Sequence, residues 1–470
     1  MHEVRCTLSN NEDDMPLTRR GFLGGTLGTS LTLMFGCGDE DAGNGGSNNG
    51  FANNGANNGA NNGANNGANN GGNNGVNNGA NNGANNGANN GANNGENNGA
   101  NNGANNGGNN GEIECHDAFV GGTMLGVASF VGEYEGRFEQ RTGRGHDGRL
   151  LTNLSKIEPG TTAVSNDTFY IRTHYPDQID PDLPWTIQIG GLVEEEVTLA
   201  IEDILPMAEP QGNYVLECSG NTYHGSFGLL SAADWGGVSL LDIFQMVDIK
   251  PEATRVLISG FDEHSHVSTH SMPTASWVFT LEEIEEAGGF LATTMNGVPV
   301  PPDHGQPVRL YMPNWYGCCN IKWVNEIRFV DDSEPATLQM QEFAQRTHQR
   351  GVPTMARDYV PATMNQSAMP IRVEKWRVDG ELLYRIIGIM WGGFEVTNDL
   401  LIRFDPREFW ADVDVCPGMK DNNGWTVWQH AWKPFRVGEH TIAMQIDNAN
   451  VPTNRLDGGW YERRVFIDEI

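Results

Sequence analysis

Sustained alternation of apolar and polar positions begins near residue 164. Phe169-Tyr170-Ile171-Arg172-Thr173-His174 alternates as a half-buried strand, and residues 185–190 form a second strand ending in a Gly190-Gly191 turn. Residues 199–205 and the stretch opening Leu240-Leu241-Asp242-Ile243-Phe244 predict short helices. Residues 280–287 predict an acidic helix with Leu281 and Ile284 inward. Buried strands are expected at 255–259, 308–312 and 322–330. Val215 and Leu216 close another apolar run, which Ser219, Gly220 and Asn221 break as a loop would. From 362 onward six alternating stretches follow at near-regular spacing: 371–376, 383–390, 400–404, 425–432, 440–446 and 464–467. That pattern suggests an all-β sandwich. Strands and short helices interleave earlier without a clean βαβ repeat, so the class is α+β.

The first part of the chain has none of this periodicity. Thr18-Arg19-Arg20-Gly21-Phe22-Leu23 sets two arginines before an apolar stretch at 23–35, a pattern similar to a twin-arginine export signal. The stretch is short and glycine-rich for a membrane span. Met34-Phe35-Gly36-Cys37 resembles a lipobox with Cys37 as the acylated residue. The expected location is therefore periplasmic, with a lipid anchor to the outer membrane if Cys37 is modified. Residues 38–111 consist largely of Asn-Asn-Gly-Ala repeats, too poor in apolar side chains to offset the entropy of ordering. They read as a disordered linker, and 112–165 as a glycine-rich lead-in wrapping the body.

The formal net charge of -31 over 470 residues argues against nucleic acid as a partner and suits a basic protein partner. The 7 cysteines form no CxxC or zinc pattern, which argues against a disulfide framework. The absence of CxxCH argues against a c-type haem on this chain.

Several polar residues stand on or beside strands: Arg172, His174, Cys218, Asp262, His304, Arg309 and Lys322. Cations around one thiolate suit a large anionic cofactor bearing phosphate. Singly, each has a plainer reading. Cys218 could be an inert core cysteine, the histidines structural, and the arginine and lysine solvated. In this order they resemble the sulfite oxidase family of molybdopterin-dependent oxidoreductases. The resemblance is carried by Glu217-Cys218-Ser219-Gly220-Asn221, by Ala233-Asp234-Trp235-Gly236-Gly237, and by a composite running from Met295-Asn296-Gly297 through Pro302-Asp303-His304-Gly305 and Pro307-Val308-Arg309 to Trp315-Tyr316-Gly317 and Ile321-Lys322-Trp323.

The resemblance implies Mo-molybdopterin as cofactor, with Cys218 as the molybdenum ligand, a role suited to a soft thiolate. It implies that Tyr170, Ile171, Arg172, Thr173, His174, Asp262, His304, Arg309, Asn320, Ile321 and Lys322 hold the pterin and its phosphate. It implies a molybdopterin-binding catalytic domain at 112–335 and an immunoglobulin-like dimerisation domain at 336–470, hence a homodimer. Arg455 is the candidate for an arginine sent from that domain towards the active site. The chemistry implied is oxygen-atom transfer, with electrons passed to an external carrier such as a cytochrome c.

Sulfite-oxidising members carry an arginine five residues after the cysteine, where this chain has Tyr223. Arg172 remains as an anion-binding candidate. Losing a bidentate arginine from a partly buried anion site costs on the order of 2 to 5 kcal/mol, so sulfoxides stand beside small oxyanions as substrates. Tyr223 and His224 either point into the pocket as donors or are loop residues beside it. His264, His266 and His270 suggest either a second metal site or a rim loop, and Cys318 and Cys319 read as packed cysteines near the pterin. A sulfite-dehydrogenase-like enzyme leads. The alternatives are a sulfoxide-reductase-like member and a non-catalytic lipid-anchored binding protein that keeps the fold.

Overall fold

The computed structural model describes residues 117–470, except 134, 270, 272, 274, 417, 419 and 420. The export signal, Cys37, the Asn-Asn-Gly-Ala stretch and His270 therefore lie outside the described residues. No helix among the described residues is long and apolar enough to cross a membrane.

Two five-stranded sheets build the central part. One runs in the order Val298–Pro299, Phe290–Met295, Leu230–Ser239 and Glu209–Glu217, with Arg309–Tyr311 also pairing Phe290–Met295. The other runs Val197–Ala200, Thr186–Gly191, Val324–Val330, Arg255–Gly260 and Ser276–Thr280. Its one parallel contact joins Thr186–Gly191 to Val324–Val330. Ile187, Ile189, Val256, Ile258, Ile327 and Phe329 recur at every second position and are buried together, as one core face of a pleated sheet requires.

Helices are short, and the architecture is largely β. The expected acidic helix forms as Leu281–Ala287. A reciprocal capping box starts it: Thr280 Oγ1 accepts from Glu283 N at 2.9 Å, and Glu283 Oε2 from Thr280 N at 2.8 Å. Gly288, at φ 65, ends it. Ile284 is buried as expected, and Leu281 packs against the core from a partly buried position.

All six C-terminal strands form, at Ser367–Val378, Glu381–Trp391, Leu400–Phe404, Thr426–Trp432, Gly438–Ile446 and Arg463–Ile467. With two edge strands that were not anticipated, Thr123–Ala128 and Ala411–Asp412, they make two four-stranded antiparallel sheets, in contact where Phe404 stacks on Trp432 at 4.2 Å. Thr123–Ala128, from the lead-in, pairs with Ser367–Val378, so the C-terminal sheets draw on chain from both sides of residue 335.

Cys218, Cys318 and Cys319 are free, whereas Cys416 is disulfide-bonded. The expectation from cysteine spacing missed that bond.

Candidate functional site

The strand Glu209–Glu217 delivers Cys218 to the wall of a cleft. The Cys218 amide donates to Leu229 O at 3.0 Å, fixing the turn that follows the strand. Burial pushes the Cys218 thiol up, while the positive charges of Arg172 and, more weakly, Arg149 act to bring it down. Tyr170, Ile171, Arg172, Thr173, Asp262, His304, Arg309, Asn320, Ile321 and Lys322 all line this cleft with Cys218. Most of the predicted residues, from five separate stretches of chain, thus converge on one surface.

Their individual geometry refines what each can do. Only Ile171–Arg172 of the expected 169–174 strand forms, because Thr173 turns left-handed at φ 80, a costly conformation for a β-branched residue. That turn aims the Thr173 carbonyl at Lys322 Nζ, 2.6 Å away. Lys322 also donates to Asp303 O at 2.8 Å and to Arg172 O at 3.3 Å. Burial, then the neighbouring Arg309, lowers the Lys322 ammonium to about 7. Arg309 is buried under Trp235 and Tyr311 and donates to His304 O at 3.0 Å and Asn320 O at 3.2 Å. Its Nε is buried without a hydrogen-bond partner.

His304 contributes no positive charge. Burial pushes it down to about 3, and its Nε2–H donates to Asn166 O at 3.0 Å, leaving Nδ1 as an acceptor. The Asn320 side chain is used on backbone: it accepts from Met312 N at 2.8 Å and donates to Trp315 O and Tyr316 O. It shapes the cleft wall by folding the 312–320 loop.

Two predicted residues are not among the groups lining the cleft. His174 lies behind its wall, with Nδ1 3.4 Å from Asp303 Oδ1 and Nε2 bonded to Thr142 O. Tyr223 is 65% exposed and borders a separate surface hollow with Phe130, Phe227 and Trp460. The turn Tyr223–Gly225, followed by left-handed Ser226 and Phe227, carries it outward. The reading of Tyr223 as a pocket donor is corrected accordingly.

The structure adds residues that sequence reasoning missed. His146 lines the cleft, with Nε2 3.2 Å from Asp262 Oδ1. His264 Nε2 lies 3.4 Å from the same oxygen, and the two rings are 4.3 Å apart. His264 is thus a packed partner of Asp262, while His266 is exposed, 3.7 Å from Asp147. Asp303 holds the Tyr175 amide at 2.7 Å and Arg141 at 2.7 Å. His146 falls in a glycine-rich segment without periodicity, where only the neighbouring Asp147 and arginines hint at chemistry. Cys318 lines the cleft, its sulfur 3.9 Å from that of Cys319. Arg455 does come from the C-terminal part: its Nη2 donates to Ser219 O at 2.7 Å, one residue beyond Cys218.

A phosphate-bearing pterin fits these residues. A buried arginine donor without a partner, an ammonium destabilised first by burial and then by its cationic neighbour, and a free thiol lining the cleft are what an anionic, sulfur-liganded metal group would satisfy.

Comparison with known proteins agrees with the geometry. Residues 172–338 match the family described as oxidoreductase molybdopterin binding domain. The NADPH nitrate reductase of Beauveria bassiana is 30% identical over 205 residues, 38% of this chain and 22% of that protein. The mitochondrial sulfite oxidase of Drosophila melanogaster is 25% identical over 338 residues, 64% of this chain and 57% of that one. The chain thus spans less than two thirds of the length of either relative. The crystal structure of the sulfane dehydrogenase SoxCD from Paracoccus pantotrophus shares the fold, with a TM-score of 0.53 at 17% identity, over 77% of this chain and 96% of that one.

Proposed function

We propose that this chain, a member of the sulfite oxidase family of molybdopterin-dependent oxidoreductases, is a sulfite-dehydrogenase-like enzyme. Cys218 holds the molybdenum, and Arg309, Lys322, Asp262, Tyr170 and the backbone of 171–173 and 320–322 hold the pterin and its phosphate. The observation that carries this reading is the free Cys218 thiol lining a cleft whose walls gather Arg172, Arg309 and Lys322. The bound group supplies two-electron oxygen-atom transfer. With sulfite, water provides the oxygen, sulfate leaves, and two protons and two electrons are released. The electrons pass singly to an external carrier such as a cytochrome c.

The chain's own residues do the rest. Arg172, held by His146 O at 2.6 Å and Ser271 Oγ at 2.6 Å, presents a fixed positive charge beside Cys218. The buried surroundings of Cys218 limit water, and the turn at 218–221 sets the direction of the sulfur. The twin-arginine motif supports a periplasmic location, because a cofactor inserted in the cytoplasm has to cross in a folded protein. Acylation of Cys37 would tether the enzyme to the outer membrane through the 38–111 stretch. The C-terminal sheets act as an immunoglobulin-like dimerisation domain.

The test is sulfite-dependent reduction of an artificial one-electron acceptor by protein first shown to contain molybdenum. Turnover that vanishes in Cys218→Ser, with folding intact, is expected. A fully active Cys218→Ser protein would overturn the assignment. Molybdenum-loaded protein silent with sulfite but able to reduce a sulfoxide would move the substrate to the neutral class.

A further inference from the structure

In the two-stranded ribbon beside the cleft, Arg149 is the direct cross-strand partner of Arg172. Directly opposed residues of an antiparallel pair carry their side chains on the same face, with Cβ atoms about 4.5–5.5 Å apart. Arg172 lines the cleft; Arg149 is not itself among the lining groups but shares the ribbon face of Arg172, directly beside it. Both side chains are half-buried. They converge on one acceptor: His146 O receives Arg149 Nη1 at 3.0 Å and Arg172 Nη1 at 2.6 Å. Their other hydrogen-bond acceptors, Gly148 O, Thr173 Oγ1 and Ser271 Oγ, are also neutral.

Among the described residues neither guanidinium has a carboxylate at ion-pair distance. Burial and the charge of Arg172 push Arg149 down to about 10, and the field of Asp147 is the weakest of the influences on it. Like charges held opposite one another, half out of water and without a counter-charge, are unfavourable. An oxyanion would remove that cost and match the fork geometry of two arginines. The fields of both arginines reach the Cys218 sulfur.

We propose that Arg149 and Arg172 form a two-guanidinium cradle for a small oxyanion at the Cys218 side of the cleft, with Arg149 supplying the second cation that Tyr223 does not. Arg149 is then a specificity-determining residue that favours an oxyanion over a neutral sulfoxide. The inference rests on the molybdenum reading of the site, and its test separates the two.

Sulfate, an unreactive oxyanion, is titrated calorimetrically into molybdenum-containing wild-type, Arg149→Gln and Arg149→Lys proteins, and molybdenum per chain is measured in each. The expected result is a ten- to hundredfold weaker sulfate affinity in Arg149→Gln and partial recovery in Arg149→Lys. Molybdenum content stays unchanged, and the sulfite KM rises more than kcat falls. Unchanged sulfate affinity in a folded Arg149→Gln protein overturns the cradle. So does loss of molybdenum from that variant, which would assign Arg149 to the cofactor. If Arg149→Gln does not fold, sulfate affinity in Arg149→Lys equal to wild type overturns it, since a lysine cannot reproduce the fork. Wild-type protein that binds sulfate through Arg149 but contains no molybdenum would overturn the parent reading and leave the cradle standing.

Discussion

Tyr461 donates its hydroxyl to Glu217 Oε1 at 2.7 Å, and Glu217 is the residue immediately before Cys218. The Glu217 carboxylate is only 1% exposed, and most of its partners come from the C-terminal part of the chain: Trp391 at a strand end, Arg455 in the short helix Asn454–Asp457 and Tyr461 in the turn after it. Trp391 Nε1 reaches Oε2 at 3.2 Å, Arg455 Nη1 lies 3.6 Å from Oε1, and Asn221 Nδ2 completes the set at 3.2 Å. Burial works against a charge on Arg455, yet the carboxylate of Glu217 raises the guanidinium above its ordinary value. The C-terminal part thereby clamps the strand end that carries the thiol, from behind the cleft.

Glu217→Gln should leave Arg455 buried without its counter-charge and cost about 3–5 kcal/mol. Tyr461→Phe removes one of several donors and should cost about 1–3 kcal/mol. Urea unfolding midpoints check both. Molybdenum content should fall in the same order, because the clamp positions Cys218. A Glu217→Gln protein as stable as wild type would show that the pair contributes nothing.

Gly317 marks the closest approach of the opposite wall. A Cβ there would lie 2.6 Å from Tyr170 Oη and 3.5 Å from Cys218 Cα. Gly317→Ala should displace the Tyr170 ring and narrow the cleft, at a cost of about 1–3 kcal/mol for overpacking, and molybdenum occupancy should drop well below that of wild type. A fully loaded Gly317→Ala enzyme would mean that the wall can give way.

His304 makes stability depend on acid. Its folded value is pushed down to about 3 against an ordinary 6.5, so on acidification the unfolded chain takes up the proton first. The stability it contributes is full above pH 6.5 and is lost as pH falls from 6.5 towards 3, by about 2 kcal/mol at pH 5. Urea midpoints of cofactor-free protein at pH 7 and pH 5 should show that loss, and His304→Gln should shrink it. Equal slopes in the two proteins would count against a buried neutral His304.

The C-terminal strands were legible because antiparallel sheets with one wetter face alternate cleanly, as Arg463–Ile467 does with every second residue buried. Leu230–Ser239 was not legible. It is buried on both faces, and its Leu230, Trp235 and Val238 are scattered among Ala, Ser and Gly, so no alternation marks it as a strand. Gly237 is needed there because a Cβ would meet Leu291 O at 2.1 Å. The cleft residues from Tyr170 to Lys322 could be named from motif order, but their division of labour could not. Asn320 being used on backbone and His304 being neutral both depend on partners far away in sequence. Tyr223 was misplaced because counting five residues from Cys218 ignores the outward turn at 223–227. Arg149 and His146 sit in a lead-in with no periodicity, and only the ribbon pairing Arg149 with Arg172 shows where they stand.

Lys322 should make cofactor uptake by the cleft depend on pH. Its ammonium is lowered to about 7 by burial and by Arg309, so in cofactor-free protein the charge is present below that pH and fades above it. An anion bound beside Lys322 favours the protonated form and returns the group towards its ordinary 10.5. Binding above pH 7 therefore takes up a proton, and affinity should fall by up to about tenfold per pH unit until 10.5 is approached. Reconstitution of cofactor-free protein at pH 6.5 and pH 8.5, read as molybdenum per chain against added cofactor, should show roughly ten- to thirtyfold weaker uptake at the higher pH. Lys322→Arg keeps its charge throughout this range, so its profile should be nearly flat. A wild-type profile as flat as that of Lys322→Arg would mean that the ammonium stays charged in the empty cleft, and that the three carbonyls of Arg172, Thr173 and Asp303 stabilise it fully without an anion.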